Sequence, residues 1–296
     1  MPGETVYCPS FATLMDLADL GGQTFRSINN DRNDNGRVYG GQLLAQALGA
    51  AQRTVAGDRC ATVLQLVFLS GARPETPIDY TVTALQDGRR FSSRQVTARQ
   101  GSTTIISAHV SFQAPRAGTN THGHQRQHGA DWGRPETSRA ISEAGPGIRE
   151  RLGLGGYASL QSHPYIECRF VDPTVDALPA GPGQPMRFWM RIAQPLPKMP
   201  GADACAVAYL SDWWLNYTSI APYLGLSTYD GFYVASLNHS LWFHAPCRAD
   251  EWMYCVTDSP WADSMRGLSF GRLYGRDGTL VATMAQESLQ TLATSG

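Results

Sequence analysis

Residues 203–217 read DACAVAYLSDWWLNY. The run is helix-length and almost wholly apolar or small, yet Asp212 lies inside it. An ionised group taken out of water is costly enough that such placements are rare without partners. With no polar face to turn outward, the run predicts a helix covered on most sides. We read it as a helix wrapped by a sheet, with Asp212 a carboxylate able to activate a water. Taken alone, Asp212 reads equally as the residue that ends or solvates a helix.

A second run of the same kind lies upstream. In GGQLLAQALGAAQRTV (40–55), Leu43, Leu44, Ala47, Leu48 and Ala51 keep the helical period, and Gly57-Asp58 closes it. Gly40-Gly41 before it reads either as a phosphate cradle or as close helix–sheet packing. Past each helix the period changes to two. TVLQLVFLS, IDYTVTAL, FSSRQVTAR and TIISAHVSFQ follow the first, broken at Gly71–Pro74, Asp87-Gly88 and Gln100-Gly101. VASLNHSLWFHAP, EWMYCVTDS, SMRGLSFGRLYGR and LVATMAQESLQ follow the second, and YIECRFVDP and PMRFWMRIAQPLP precede it. At the start, residues 11–20 place Phe11, Leu14, Leu17 and Ala18 on one helical face, which predicts a helix ended by Gly21-Gly22. A short strand, QTFRSI, and a polar loop, NNDRNDNGR, come next.

The two halves therefore repeat one order of elements. GSTTIISAHVSFQ (101–113) matches GTLVATMAQESLQ (278–290) in frame, and Val82-Thr83 and Phe68-Leu69 have counterparts in Val256-Thr257 and Trp242-Phe243. This predicts an α+β fold of two copies, each an antiparallel sheet wrapped around a central helix, with the sheets paired side by side to hide their edges. The expected division is an N-terminal module over 1–115, a linker over 116–163 and a C-terminal module over 164–296. The linker is polar and irregular. Its His122, His124 and His128 carry a metal-like spacing, but they read better as a solvated loop. A ligand is expected at the seam between modules.

Composition narrows the function. A net charge of −1 gives no footprint for nucleic acid or anionic membrane. No apolar run is long enough to span a bilayer, and the start lacks the pattern of a signal peptide. The cysteines, Cys8, Cys60, Cys168, Cys205, Cys247 and Cys255, form no CxxC pair, so reduced thiols in a cytoplasm are expected. GxSxG is absent, and no cysteine sits in a nucleophile motif.

Six stretches carry a resemblance: RVYGGQLLAQAL (37–48), DGRRFSSRQVTARQ (87–100), SFQAP (111–115), AYLSD (208–212), NHSLWFH (238–244) and DGTLVATMAQE (277–287). In family order, and over most of the chain outside the linker, they resemble the acyl-CoA thioesterase II family. The resemblance implies a tandem (double) hotdog fold and a lipid-metabolic hydrolase that cleaves acyl-CoA without a covalent intermediate. It implies no cofactor or metal, and further pairing into a homo-oligomer. Carried over by position, it assigns the catalytic Asp, Thr and Gln of the family to Asp212, Ser236 and Gln286. Two positions depart from the family. Asn238-His239-Ser240 stands where the family has Asp-His-Ser, which would remove a carboxylate near the site. Gln65 stands where it usually has His, in a strand expected to shape the acyl or CoA site.

Thioester hydrolysis needs a held, polarised water and donors for the oxyanion, while the thiolate leaves readily. A carboxylate, a hydroxyl and an amide supply what the water requires. Burial is expected to raise Asp212, with the hydroxyl and amide opposing the rise. The oxyanion donors are not readable from the sequence; backbone amides near a helix N-terminus could supply them. His239 and His244 read as satisfied core or interface residues without chemistry. Trp213, Trp214, Tyr217, Tyr223, Tyr229, Phe232 and Tyr233 crowd the segment after Asp212 and read either as core or as walls for a short, cyclic or aromatic acyl group. Three functions stay open on the sequence: an acyl-CoA thioesterase, a hotdog hydrolase or dehydratase acting on carrier-protein or unusual acyl thioesters, and a non-catalytic acyl-binding homologue.

Overall fold

The computed structural model describes residues 7–33, 35–115, 132–140, 143, 150, 163–171, 184–223 and 231–292. Its strands are β1 (Leu17–Asp19), β2 (Thr24–Ser27), β3 (Cys60–Phe68), β4 (Asp79–Asp87), β5 (Phe91–Gln100), β6 (Thr103–Gln113), β7 (Arg139–Ala140), β8 (Ile166–Phe170), β9 (Met186–Ile192), β10 (Phe232–Phe243), β11 (Met253–Asp263), β12 (Arg266–Gly275) and β13 (Leu280–Leu292). Its helices are α1 (Phe11–Leu14), α2 (Gly40–Gln52), α3 (Ala202–Ser211) and α4 (Leu215–Ile220).

All the strands join one antiparallel sheet in the order β1-β2-β4-β5-β6-β3-β10-β13-β12-β11-β9-β8-β7. The halves meet where β3 pairs with β10, from Val63 opposite Trp242 to Val67 opposite Asn238. Edge-to-edge pairing removes the unpaired strand that each half would otherwise expose. Alternation sets the inner face: Ile106, Ala108, Val110 and Phe112 of β6 are all buried. α2 lies against β2 to β6, α3 against β9 and β10, and α4 against β10 to β13.

A helix enclosed in this way has no face for polar side chains, so each one needs a partner. In α2, Gln42 receives the Asp31 N–H on Oε1 at 2.9 Å and donates to Asn30 Oδ1 at 2.8 Å. Gln46 donates to Leu14 O at 2.7 Å and accepts from Tyr80 OH at 2.8 Å.

Two expectations are corrected. The helix expected over 11–20 stops at Leu14, and Leu17–Asp19 instead forms β1, paired with β2 across the Gly21-Gly22 turn. Sheet pairing outweighs a weak helical period there. The run 203–217 is not one helix: it breaks at Asp212–Trp214 between α3 and α4. Within the segment read as a linker, Trp132 stacks on Tyr254 at 4.3 Å and β7 pairs with β8. His122, His124, His128 and Tyr229 lie outside the described residues.

Candidate active site

The break in the second helix is what aims Asp212. Asp212 closes α3, and Trp214 then takes a left-handed conformation with φ 71° before α4 restarts the chain. For a bulky residue that conformation costs roughly 1–2 kcal/mol, and strain of this kind gathers at functional sites. It turns the Asp212 carboxylate out of its own helix and onto the first turn of α2, where the Gly41 N–H bonds it.

That approach explains the glycine pair. A Cβ on Gly40 would lie 2.6 Å from Asp212 Oδ2, and one on Gly41 would lie 2.4 Å from the Tyr209 backbone oxygen. Both are closer than real Cβ contacts allow. Gly40-Gly41 therefore serves close packing, chiefly against the end of α3, with Phe68 of β3 3.3 Å from a Cβ on Gly40.

The other two candidate residues arrive on paired strands. In the β10–β13 ladder His239 stands opposite Gln286 and Ser236 opposite Ser288, with a register shift between Ser236 and Asn238. In a plain strand, positions 236 and 239 would face opposite ways. The bulge puts both beside Gln286 and re-aims the residues between them.

The resulting network is continuous. Ser236 Oγ donates to Asp212 Oδ1 at 3.4 Å and accepts from Gln286 Nε2 at 3.2 Å and Asn216 Nδ2 at 3.3 Å. Gln286 Nε2 also donates to Asn216 Oδ1 at 2.8 Å, which receives the Ser288 hydroxyl as well. On its other side Gln286 Oε1 meets His239 Nδ1 at 2.5 Å, and His239 Nε2 meets Ser211 Oγ at 2.9 Å. Burial raises the Asp212 carboxyl to about 6, while the Gln286 amide, the Ser236 hydroxyl and the Gly41 N–H pull the other way. Burial lowers His239 to about 4, so near neutral pH it is a neutral imidazole.

Asp212, Ser236 and Asn216 line a cavity of about 450 Å³ between the halves. Tyr39, Gly40, Leu43 and Phe68 come to it from the first half, and Trp213, Trp214, Tyr217, Phe232 and Tyr233 from the second. Gln286 does not line it; it stands behind Ser236 and Asn216. A second buried carboxylate, Asp31, also borders the cavity. It is held by the Cys8 N–H at 2.7 Å, the Tyr209 hydroxyl at 3.3 Å and the Tyr165 hydroxyl. Of the aromatic residues read after Asp212, Tyr223 lies apart, in a shallow depression beside the β11–β12 hairpin.

The structure therefore brings Asp212, Ser236 and Gln286 together and adds Asn216, Ser211 and His239. Asn216 had a readable signal, since it is one of the few polar side chains in the apolar run and lies four residues past Asp212. The two departures from the family pattern fall outside the cavity. Asn238 turns away and donates to Glu287 Oε2 at 2.9 Å, and Gln65 is exposed opposite Ser240. An acid at 238 would meet Glu287, not the site. Among the described residues no group of three or more His, Cys, Asp or Glu could hold a metal ion. No helix among them is long and apolar enough to cross a membrane.

Family profiles match both halves: the acyl-CoA thioesterase N-terminal domain over residues 29–113 and the acyl-CoA thioesterase C-terminal domain over 135–290. The chain is 36% identical to acyl-coenzyme A thioesterase 8 of Mus musculus over 267 residues, 86% of this chain and 80% of that protein. Among solved structures it resembles acyl-CoA thioesterase II TesB2 from Mycobacterium marinum, with a TM-score of 0.75, 28% identity and coverage of 96% and 99% of the two chains. A hot dog protein of unknown function from Alicyclobacillus acidocaldarius matches at a TM-score of 0.72 and 16% identity, over 96% of this chain and 98% of that one. The fold is the tandem hotdog.

Proposed function

The chain belongs to the acyl-CoA thioesterase family and is a thioester hydrolase, and from that premise we propose that it cleaves acyl-CoA with a water activated by Asp212. The observation that carries this reading is a carboxylate only 5% exposed that still borders a cavity, with its donors gathered on one side. A water between Asp212 and the thioester carbonyl would be held by the carboxylate and by the Ser236 and Asn216 side chains. Asp212 takes a proton as the water oxygen bonds to the carbonyl carbon. The tetrahedral intermediate then expels the thiolate, which takes the proton from Asp212 to give free CoA and restore the base, and the acid leaves. An acid and a thiol replace one thioester and one water, and no covalent enzyme intermediate is needed. The first turn of α2 borders the same cavity at Gly40, whose N–H, at the first helical position, has no intrahelical partner and suits the oxyanion.

About 450 Å³ is at the small end of ligand pockets. With rings from Tyr39, Phe68, Trp213, Trp214 and Phe232 around it, the cavity favours a short, cyclic or aromatic acyl group over a long flexible tail. The test is thiol release across acyl-CoA esters of graded length, including an aromatic acyl group, with wild type and Asp212→Asn. Turnover is expected in wild type, best with the compact esters. Equal rates in Asp212→Asn would overturn the mechanism, and cleavage of a carrier-protein ester but no CoA ester would overturn the substrate.

A further inference from the structure

His239 is fully buried and does not border the cavity, yet it is in hydrogen-bond contact with Gln286. Two facts constrain the network behind Ser236. Side-chain amides can be turned end for end, and a hydroxyl has one proton to give. The chain from Ser211 to Asp212 can therefore run in either of two directions.

In the first, the Nδ1–H of His239 donates to Gln286 Oε1, which turns the Gln286 NH₂ toward Asn216 Oδ1 and Ser236 Oγ. Asn216 Nδ2 also donates to Ser236. With two donors already on its oxygen, Ser236 gives its proton to Asp212. Neutral imidazole then has its acceptor at Nε2, and Ser211 donates to it. In the second direction the proton sits on Nε2, Ser211 donates to Ala208 O, 2.8 Å away, and Gln286 donates to Nδ1. Both amides reverse and present their oxygens to Ser236, whose one proton is then contested by Gln286, Asn216 and Asp212. Only the first direction commits that proton to the carboxylate.

We propose that His239 and Ser211 are positioning residues for the hydrolysis read above, on which this inference rests. By holding the proton on His239 Nδ1 they fix the orientation of Gln286 and Asn216, and so the donation from Ser236 to Asp212. The bulge between Ser236 and Asn238 serves this arrangement, because it brings residues 236 and 239 to the same amide.

The test begins with the unmodified protein, so that folding of a variant is not at issue. Nitrogen-15 NMR of His239 at pH 8 is expected to show a protonated Nδ1 and an unprotonated Nε2; the opposite tautomer overturns the proposal. Kinetics then separate positioning from packing. An Asn side chain puts its amide nitrogen near the place of Nδ1, so His239→Asn is expected to keep kcat within threefold of wild type. His239→Leu and His239→Gln are expected to lower kcat by at least about tenfold and up to about 100-fold at unchanged KM, as for small misplacements of reacting groups. Ser211→Ala is expected to lower kcat and to release the tautomer, giving a mixture by NMR. Unchanged kcat in His239→Leu, or a loss in His239→Asn equal to that in His239→Leu, overturns the proposal. If Asp212→Asn is also as active as wild type, the failure belongs to the mechanism; if Asp212→Asn is inactive, it belongs to this inference alone.

Discussion

The two central helices occupy equivalent places in a repeated fold and behave differently. α2 runs unbroken through 13 residues, and its buried Gln42 and Gln46 are closed by bonds to neighbouring groups. The second helix is interrupted after Ser211, and the interruption turns a carboxylate onto the start of the first. The same enclosure by a sheet serves stability in one copy and raises a base toward neutrality in the other. What separates them is whether every polar group is fully partnered or one is left facing a cavity. The intact helix still contributes, through the two glycines that admit the carboxylate.

Asp212→Asn breaks this contrast most severely. Thiol release should fall by about 10²- to 10⁴-fold, the usual contribution of a general base. Stability should move the other way. Folding raises the carboxyl from 3.8 to about 6, so the folded chain binds its proton more tightly than the unfolded chain. That contribution is fully present below the unfolded value and is lost as pH rises through about 6. Above pH 7 the ionised group leaves the fold on the order of 2–3 kcal/mol less stable than a neutral side chain would. Asp212→Asn should therefore resist urea better than wild type at pH 8 and show no such advantage at pH 4. In wild type, kcat/KM should fall about tenfold per pH unit below about 6 and level off above it, because the base must be ionised.

Substitution of the glycines attacks the contrast from the other helix. Gly41→Ala pushes a methyl into the Tyr209 carbonyl, a backbone atom, and should cost about 1–3 kcal/mol, the range for overpacking. Gly40→Ala meets Asp212 Oδ2, the end of a side chain that can move, so its effect should fall on rate. A loss of up to about 100-fold in kcat is expected there, with a smaller change in urea midpoint than for Gly41→Ala. Gln46→Leu is the control inside α2. It strands the Tyr80 hydroxyl and the Leu14 carbonyl, which should destabilise by about 1–3 kcal/mol per group while kcat stays within twofold. A rate loss as large as that of Gly40→Ala would mean the two helices are not separable in this way.

Much of this arrangement could be read from the chain, and the remainder could not for identifiable reasons. The two enclosed helices followed from the absence of a polar face over 203–217 and 40–55, and the strands from their alternation. Asp212 stood out because it contradicted its surroundings. The break at Trp214 was invisible, since DWWLNY contains no glycine or proline to signal a left-handed residue, and tertiary packing sustains it. The bulge in β10 was equally hidden. Without it, SLNHS read as an unbroken alternation, which put Asn238 near the site and left His239 as ordinary core. Three-dimensional register, not residue type, decided which of those two neighbours shares a side with Ser236.

Asn238→Asp tests that register with the smallest expected effect. Asn238 donates to Glu287, whose other oxygen pairs with Arg266 at 2.7 Å. An aspartate there would replace a donor with a second carboxylate, although the neighbouring guanidinium offsets part of the repulsion. Destabilisation of about 0.5–1 kcal/mol is expected from like charges facing across strands, easing at high salt. Since the side chain points away from Ser236 and Gln286, kcat should remain within threefold of wild type and the pH profile should not shift. If a carboxylate at 238 were close enough to act on Asp212, it would raise that group further, and the rising limb of the profile would move to higher pH. That shift would show that the bulge does not turn residue 238 away from Ser236 as described, and the contrast between the helices would lose its explanation in the strand beneath them.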